Sequence, residues 1–223
     1  FDNEKHAKDF MCGKLCMNPI GSFRNYKDKN GELRGDTYEG VSSLIQPWSI
    51  KSIKIDEILF SSKDLVSPMV VRDNDLLTHN VFCMYSLNTT GIDGLNENAA
   101  DEVKKIVELH HSCFGLGDFC VLVTKVEEFI RRTRKAIDAL GVRANMGLVE
   151  YYDERKYNGE FSRDKLGFHK RDLFKEQREF RIKLDLNKNQ GERFFLEIGD
   201  LSDISIRMTP QEFNRRLQVE FVG

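Results

Sequence analysis

The sequence has 223 residues, 40% of them hydrophobic and only four of them proline, which excludes a long proline-rich linker and allows one sizeable core. Its 34 Lys/Arg against 36 Asp/Glu give a net charge of −2, so total charge indicates neither a nucleic-acid-binding protein nor an acidic scaffold. Residues 131–188 depart from this balance, with 16 Lys/Arg, 10 Asp/Glu and a net charge of 16 − 10 = +6. We therefore expect one part of the surface to attract anions.

The sequence also indicates a compartment. No apolar run approaches the roughly 20 residues that cross a bilayer, and the first residues lack the basic-then-apolar pattern of a secretion signal. We expect a cytoplasmic protein with no membrane segment, and a few native residues before Phe1. An odd number of cysteines, mostly in apolar stretches, favours reduced thiols over a disulfide framework: Cys12, Cys16, Cys83, Cys113 and Cys120.

The first forty residues predict a helix, a strand and a long polar connection. Apolar residues at helical spacing in residues 3–11 precede Gly13, a residue type that commonly ends helices. An alternating strand pattern follows at residues 14–18. Residues 21–40 are rich in turn formers, with Asn30-Gly31 as the strongest turn signal.

The middle of the chain mixes strand and helix patterns. The apolar run DFCVLVT predicts a central strand covered on both faces. Thr124 and Glu127 have the spacing of a capping box, which predicts a helix that ends at Gly141. Its predicted buried stripe is Val126, Phe129, Ile130, Ile137 and Leu140. Further predicted elements are strands at residues 50–60, 69–72 and 80–87, a loop at 87–98, and a helix at 99–111 with His110 on its buried face.

The last third predicts strands at residues 146–152, 179–186, 193–198 and 204–208, then a short helix from Pro210 with Thr209 as N-cap. No repeat or composition break divides the chain. We therefore predict a single α+β domain over residues 1–223, with a mostly antiparallel sheet and two or three main helices.

The strand in EQREFRIKLDL carries the residues best suited to chemistry. Side chains alternate between the two faces of a strand, so Phe180, Ile182, Leu184 and Leu186 point to the core. The other face carries Gln177, Glu179, Arg181, Lys183 and Asp185. From the pattern alone, the favoured interpretation is a solvent-exposed polar face of an outer strand. The alternative is a site in which the Gln-x-Glu pair addresses one small ligand.

Two arginines in the polar connection favour the second interpretation. Arg24 and Arg34 lie in loops with aromatic neighbours that could stack on a planar ring: Phe23, Tyr26 and Tyr38. Such loops suit a phosphate-bearing ligand with a heteroaromatic base. The alternative is that both arginines are surface charges, paired with Asp36 or Glu39 for little net stability.

Six segments in order carry a resemblance: HAKDFMCGKLCMN, GSFRNY, RGDTYEG, GLGDFCVLVTKVEEFIRR, VEYYDERKY and FHKRDLFKEQREFRI. Together they resemble a widespread, uncharacterised group of bacterial and phage domains with an Asp-x-x-Glu-Gly element and a late Gln-x-Glu-Phe-Arg-type strand. That group is similar to the ADP-ribosyltransferase superfamily, in particular its DarT-like, nucleic-acid-modifying branch. The resemblance implies an ADP-ribosyltransferase-like fold and NAD as the substrate.

The resemblance also implies roles for particular residues. Glu179 would be the catalytic carboxylate with Gln177 as its companion, and Arg34 or Arg24 would hold the dinucleotide. Ser86, after Tyr85, is the nearest candidate for the superfamily's middle strand element, and Tyr26 and Tyr38 complete the expected cofactor-binding set. The implied activity is NAD-dependent ADP-ribosyl transfer in phage–host conflict or a toxin system, with DNA, RNA or a phage or host protein as partner.

Basic residues near the proposed site indicate a nucleic-acid acceptor, although a solvated helix face and a charged loop explain them equally well. They are Arg131, Arg132, Arg134, Lys135, His169, Lys170, Arg171, Lys175 and Arg178. The residues also allow two further functions, a non-catalytic nucleic-acid- or protein-binding module and a metal-independent nuclease that uses Glu179, Lys183 and Asp185. A metal site or a cysteine nucleophile is not favoured, because the spacing of His110, His111, Cys113 and Cys120 matches no common motif.

Overall fold

The computed structural model describes residues 1–28, 33–88, 99–186 and 191–221. Its α-helices are α1 (Glu4–Met11), α2 (Ile20–Asn25), α3 (Ala99–Val107), α4 (Val126–Leu140) and α5 (Pro210–Arg216). Its strands are β1 (Lys14–Pro19), β2 (Val41–Ile45), β3 (Ser52–Ile55), β4 (Ile58–Ser61), β5 (Met69–Arg72), β6 (Asn80–Tyr85), β7 (Cys120–Val123), β8 (Arg143–Leu148), β9 (Glu150–Tyr152), β10 (Gly159–Glu160), β11 (His169–Arg171), β12 (Glu179–Asp185), β13 (Phe194–Glu197) and β14 (Ser205–Met208). The predicted turn at Asn30-Gly31 and residues 89–98 of the predicted loop lie outside the described residues.

The largest sheet has five strands in the order β13-β1-β6-β12-β8, and its neighbours pair antiparallel. A three-stranded antiparallel sheet, β10-β2-β5, and three two-stranded pairs complete the strands. Of those pairs only β9 with β11 is parallel. The predicted α+β class with mostly antiparallel strands is therefore confirmed.

The main core lies on one face of the five-stranded sheet. The apolar residues Ile182 and Leu184 of β12 are fully buried there, as their alternation predicts. Helices α1 and α4 contribute Phe10 and Phe129, and the Phe10 ring stacks on Phe82 of β6 with 5.7 Å between ring centres. Burial of each such side chain contributes about 1.5–3 kcal/mol, so this layer fixes the position of β12. The opposite, polar face of β12 is thereby turned away from the main core.

Several sequence-based boundaries are confirmed. Helix α1 ends before Gly13, whose φ of +83° is left-handed and where a Cβ would overlap the carbonyl of Gly199. Helix α4 ends at Gly141, also left-handed. Helix α5 begins after Thr209, whose hydroxyl accepts from the Glu212 N–H in a full capping box.

Three strand and loop predictions are wrong for physical reasons. Residues 20–25 form the helix α2 inside the predicted turn-rich stretch. The pattern at 50–60 is a hairpin, because Asp56 adopts a left-handed turn conformation with a φ of 52°. The run DFCVLVT does not become a central strand, since β14 is the only strand of the described residues that pairs with β7.

The helix predictions also fail in part. Thr124 does not cap α4, because its hydroxyl donates to the Ile204 carbonyl instead. Val126 and Leu140, expected on the buried stripe, are exposed. Helix α3 ends at Val107, so His110 caps the following 3₁₀ turn and is only half-buried.

Two sequence-level expectations concern the chain as a whole. No α-helix within the described ranges is long and apolar enough to cross a membrane. All five cysteines are free thiols, as their number and apolar surroundings predict.

Candidate functional site

The polar face of β12 is buried, not solvent-exposed. Strand β12 lies between β6 and β8, so it is an inner strand of the largest sheet. Glu179 is 4% exposed and Arg181 only 1%, and Lys183 and Asp185 are also buried. The interpretation of an exposed face on an outer strand is therefore wrong. A row of four charged side chains inside a protein must be paired, and the pairs define the candidate site.

Glu179 binds two cations. Its Oε1 accepts from the Arg181 Nε at 2.7 Å, and its Oε2 accepts from the Lys170 Nζ at 2.9 Å. Lys170 lies on β11, which forms a parallel pair with β9, and its side chain is as buried as that of Glu179. The Glu179 main-chain N–H donates to the Tyr151 hydroxyl at 2.9 Å, which also anchors β9 to the start of β12.

Gln177 meets the same ammonium group. Its Oε1 accepts from the Lys170 Nζ at 2.7 Å, and its Nε2 donates to the main-chain carbonyl of Leu33. The Gln-x-Glu pair thus converges on one cationic group, but not by strand alternation as predicted, because Gln177 ends a 3₁₀ turn and the left-handed Arg178 separates it from the start of β12. This group is the ammonium of Lys170, which the sequence pattern had placed in a charged loop. The arrangement shows that this pair creates a place for positive charge.

Arg181 links the pair to the first third of the chain. Its Nη1 donates to Glu39 Oε1 and to the Gly167 carbonyl, both at 2.5 Å. Glu39 is fully buried, and its other oxygen accepts no hydrogen bond from the described residues. The chain of contacts therefore runs from Glu39 through Arg181 and Glu179 to Lys170. Two negative and two positive side chains balance within it, and we call these four residues the charge cluster.

Burial and the mutual fields of the charge cluster shift the pKa values of its members. Burial alone raises the pKa of Glu179, but the opposing fields of Arg181 and Lys170 hold that pKa well below its ordinary value of 4.5. Burial lowers the pKa of Lys170, while Glu179 and Glu39 more than compensate and raise it to about 12. Burial is also the main reason that the pKa of Glu39 is raised. Glu179 is therefore a carboxylate throughout the physiological range, and Lys170 is an ammonium.

A second buried ion pair lies beside the charge cluster. Asp36 accepts from Arg171 at 2.8 Å, and the Arg171 guanidinium lies over the Tyr38 ring at 4.7 Å. Asp36 and Glu39 are the acids of the Asp-x-x-Glu-Gly element, and they reach Arg171 and Arg181. The alternative in which these acids pair with Arg24 or Arg34 is therefore wrong. The only sequence signal for these pairs was the spacing of the two acids, three residues apart and just before a glycine. Nothing in the sequence indicated that Arg171 and Arg181 would be their partners.

Arg24 and Arg34 lie apart from Glu179 in the described contacts. Arg34 donates to the Leu116 carbonyl at 2.9 Å and lies 5.6 Å from the Tyr26 ring centre. Arg24 donates to its neighbour Asn25 at 3.3 Å. Neither arginine is among the hydrogen-bond partners of Glu179 in the described residues. The guanidinium beside Glu179 comes from Arg181, while the opening third supplies Glu39 and the Leu33 carbonyl.

Tyr38, Tyr26 and Ser86 take different positions. Tyr38 stacks on Arg171 next to the charge cluster, whereas Tyr26 stacks on Arg34. The Ser86 N–H donates to the Arg178 carbonyl at 2.9 Å, so Ser86 lies just beyond β6 and beside the start of β12. Tyr38 thus contacts the residue after Lys170 on β11, and Ser86 binds the residue before Glu179.

A cavity of about 340 Å³ flanks the start of β12. Tyr85, which pairs with Glu179 in register, lines it together with Glu176 and Arg178. Glu179, Gln177 and Lys170 are not among its lining residues in the described structure. Further lining residues include His110 and His111, whose ring centres are 4.0 Å apart. This volume is at the lower end of the range for small-molecule sites.

Arg178 and Tyr85 form polar walls of this cavity. Arg178 has a left-handed φ of 41°, and its Nη2 donates to the Asn88 side chain at 2.9 Å. Tyr85 donates to the Glu108 carbonyl at 2.9 Å, and burial raises its pKa to about 12. Sequence reasoning missed this cavity, because its walls come from four separated segments.

The predicted basic cluster is largely paired within the fold. Arg131 and Arg132 both bind Glu128 at 2.7 Å, and Arg132 also binds Asp203. Lys170 and Arg171 belong to the buried pairs already described. The exposed basic side chains of the predicted cluster are Arg131, Arg134, Lys135 and Lys175.

The remaining candidates from the sequence are a metal site and a cysteine nucleophile. In the part of the chain that the structure describes, no three His, Cys, Asp or Glu side chains come together as metal ligands. Cys113 donates to the Glu176 carbonyl at 3.4 Å, and burial raises its pKa, so its thiol is not activated.

Comparisons of the chain with protein-family models, with curated proteins and with solved structures find no match.

Proposed function

We propose that this protein transfers ADP-ribose from NAD to an acceptor, with Glu179 as the catalytic carboxylate. The observation that carries the proposal is the convergence of Gln177 and Glu179 on one cationic group, at 2.7 Å and 2.9 Å from Lys170 Nζ. It supports a site whose two polar side chains already stabilise positive charge together.

Transfer of ADP-ribose requires a site that stabilises positive charge. The bond between ribose C1′ and the nicotinamide nitrogen breaks, nicotinamide leaves with the bonding electrons, and the ribose gains positive charge. A nucleophile on the acceptor then forms a bond to C1′ and loses a proton to the medium. A carboxylate next to C1′ lowers the energy of the oxocarbenium-like transition state. Glu179 suits this role because its low pKa keeps it charged and its partners hold it in one orientation.

The cavity beside Tyr85 and Arg178 is where we place the dinucleotide. Two of its lining residues adjoin Glu179, Arg178 in the sequence and Tyr85 by strand pairing, and Arg178 and Lys105 suit a diphosphate. Arg178 thus takes the anchoring role expected of Arg24 or Arg34. Within this proposal, Lys170 holds Glu179 ionised in the free protein and moves aside as the ribose approaches.

A second candidate function has its own observation. Both oxygens of Glu179 already accept bonds from Lys170 and Arg181, and the charge cluster is balanced without a ligand. A purely structural cluster of this kind favours a non-catalytic module that binds nucleic acid or protein. Salt-sensitive binding to DNA or RNA with no consumption of NAD distinguishes this alternative.

The first experiment uses the wild-type chain and NAD labelled in its adenine half. We expect label to enter one of three separate pools, DNA, RNA or cell protein, with release of one nicotinamide per transfer. The pool that takes the label identifies the acceptor. Intact NAD after incubation with all three pools contradicts the proposal and favours the alternative, a non-catalytic binding module.

A further inference from the structure

Two adjacent histidines line the cavity beside the start of β12. The ring centres of His110 and His111 are 4.0 Å apart, and the ring planes meet at 43°. The His110 Nδ1 accepts from the Ser112 N–H at 3.3 Å, so the neutral ring carries its hydrogen on Nε2. Neither that Nε2–H nor the ring nitrogens of His111 have a hydrogen-bond partner among the described residues. The pair therefore offers a ligand polar groups that the fold does not use.

The other charges of the cavity balance. Tyr85 lines it and Cys113 lies beside it, and burial raises the pKa of both, that of Tyr85 to about 12, so both are neutral at neutral pH. Helix α5 contributes Asn214, which has no charge. The charged lining residues are two bases and two acids: Lys105, Arg178, Glu108 and Glu176. The protonation of the two histidines therefore decides whether the cavity carries a net positive charge.

A diphosphate needs more positive charge than this balance provides. The diphosphate of a dinucleotide carries a negative charge on each phosphate, and its oxygens bind most strongly to cationic donors. Arg178 has such a donor to offer, since its Nε is buried and has no acceptor in the described part of the chain. The acids of the lining offset the charges of Arg178 and Lys105, however. An imidazole gains its charge between about pH 5 and 8, so the histidines are the lining residues that can supply the remainder.

We propose that His110 and His111 bind the diphosphate of the ligand in this cavity, and that the pair takes up a proton when the ligand binds. The inference rests on the dinucleotide site proposed above and adds a control of that site by pH. Without a ligand, two positively charged rings 4.0 Å apart repel each other. A diphosphate beside both rings compensates their charges, so the complex holds more protons than the free protein.

The fold accommodates the added charge. When His110 is protonated, its Nδ1–H can donate to the Ser112 hydroxyl, which lies 2.8 Å away, so the ring keeps a partner. His111 is exposed, so water reaches its ring before a ligand binds. Because the complex holds more protons than the free protein, affinity for the ligand rises as the pH falls. Above about pH 8 the affinity levels off, since the rings are then neutral.

The test measures the binding of ADP-ribose to the full chain by isothermal titration calorimetry, at about pH 6 and about pH 8. ADP-ribose has the same diphosphate as NAD, does not titrate in this range and has no nicotinamide to lose. Wild-type protein is expected to bind it about five- to tenfold more tightly at the lower pH, as a shift of about one pH unit in one imidazole produces. Titrations in two buffers with different ionisation enthalpies are expected to show net uptake of protons.

The variant is His110→Asn with His111→Gln, because asparagine can still accept from the Ser112 N–H and cap the turn. This double variant is expected to bind ADP-ribose equally at both pH values, with circular dichroism at each pH to establish that it is folded. The control His6→Gln, at an exposed histidine on α1, is expected to keep the wild-type dependence.

The outcomes separate this inference from the proposed function. Wild-type binding that does not depend on pH, or a dependence that persists in the folded double variant, overturns the inference and leaves the dinucleotide site in place. No binding at either pH overturns the site and the inference together. Proton-linked binding that the double variant loses supports the inference, even where intact NAD in the labelling experiment overturns the transfer activity.

Discussion

Glu179→Gln is expected to lower the rate of nicotinamide release from NAD by roughly a hundred- to ten-thousand-fold. Glutamine keeps the shape of the side chain but removes the negative charge that faces the developing cation. Affinity for NAD is expected to change little, because the lost interaction acts mainly in the transition state. Initial rates and NAD binding, measured at equal folded fractions, separate the two effects.

The matched control is Glu39→Gln. Glu39 is another buried acid that binds Arg181, but Gln177 and Lys170 are not among its hydrogen-bond partners in the described structure. Both substitutions remove one negative charge from the charge cluster, and only Glu179→Gln removes it beside Gln177. Glu39→Gln is expected to keep the turnover rate within about tenfold of wild type. An equal loss in both variants assigns Glu179 a structural role and contradicts the catalytic one.

Lys170→Met is expected to lower the free energy of unfolding by about 3–5 kcal/mol. The substitution keeps much of the side-chain volume but leaves Glu179 and Glu39 in the protein interior with only Arg181 to balance them. Removal of one member of a buried ionic group is costly because the remaining charge is no longer compensated. Urea denaturation at pH 7 measures the difference.

The control for this prediction is Lys165→Met. Lys165 also pairs with a glutamate, Glu150 at 2.9 Å, but both side chains are about half exposed. Water screens such a pair, so its loss is expected to cost less than about 1 kcal/mol. Similar losses in the two variants contradict the charge cluster as described.

The stability difference for Lys170 is expected to depend on pH. The folded-state pKa of Lys170, about 12, is above its ordinary value of 10.5. The stabilisation from its charge is therefore fully present below pH 10.5 and is lost as the pH rises from there through 12. Accordingly, the gap between wild type and Lys170→Met is constant from neutral pH to about pH 10 and narrows above it. A constant gap up to about pH 12 indicates that the lysine charge does not contribute.

The apolar half of β12 was predictable and the environment of its polar half was not. Alternation places Ile182 and Leu184 in the core, and the structure agrees. The same alternation puts Glu179 and Arg181 on the opposite face, but it cannot show what covers that face. Burial depends on strand order, and the position of β12 between β6 and β8 follows from pairing across about 35 to 100 residues of sequence. Local patterns contain no information about such pairings.

The same limit explains why the partners of Arg34 and Arg181 could not be predicted from the sequence. Arg34 and Glu179 were linked by residue type, yet their chain segments meet through other residues: the Leu33 carbonyl accepts from Gln177, and Glu39 accepts from Arg181. Arg181 looked like one charge among many in a polar strand face, and its hydrogen bonds depend on Glu39, Gly167 and Glu179 being folded around it. Long-range charge pairing is set by tertiary structure, so a sequence shows the participants but not the partners.

A crystal structure of the protein with carba-NAD, whose ribose ring oxygen is replaced by carbon so that nicotinamide cannot leave, tests the role of Glu179 most directly. We expect the analogue in the cavity beside Tyr85 and Arg178, with its C1′ atom roughly 3–4 Å from a Glu179 oxygen and Lys170 displaced from that oxygen. An analogue bound elsewhere, or Glu179 still held by both Lys170 and Arg181 in saturated crystals, would contradict the catalytic assignment.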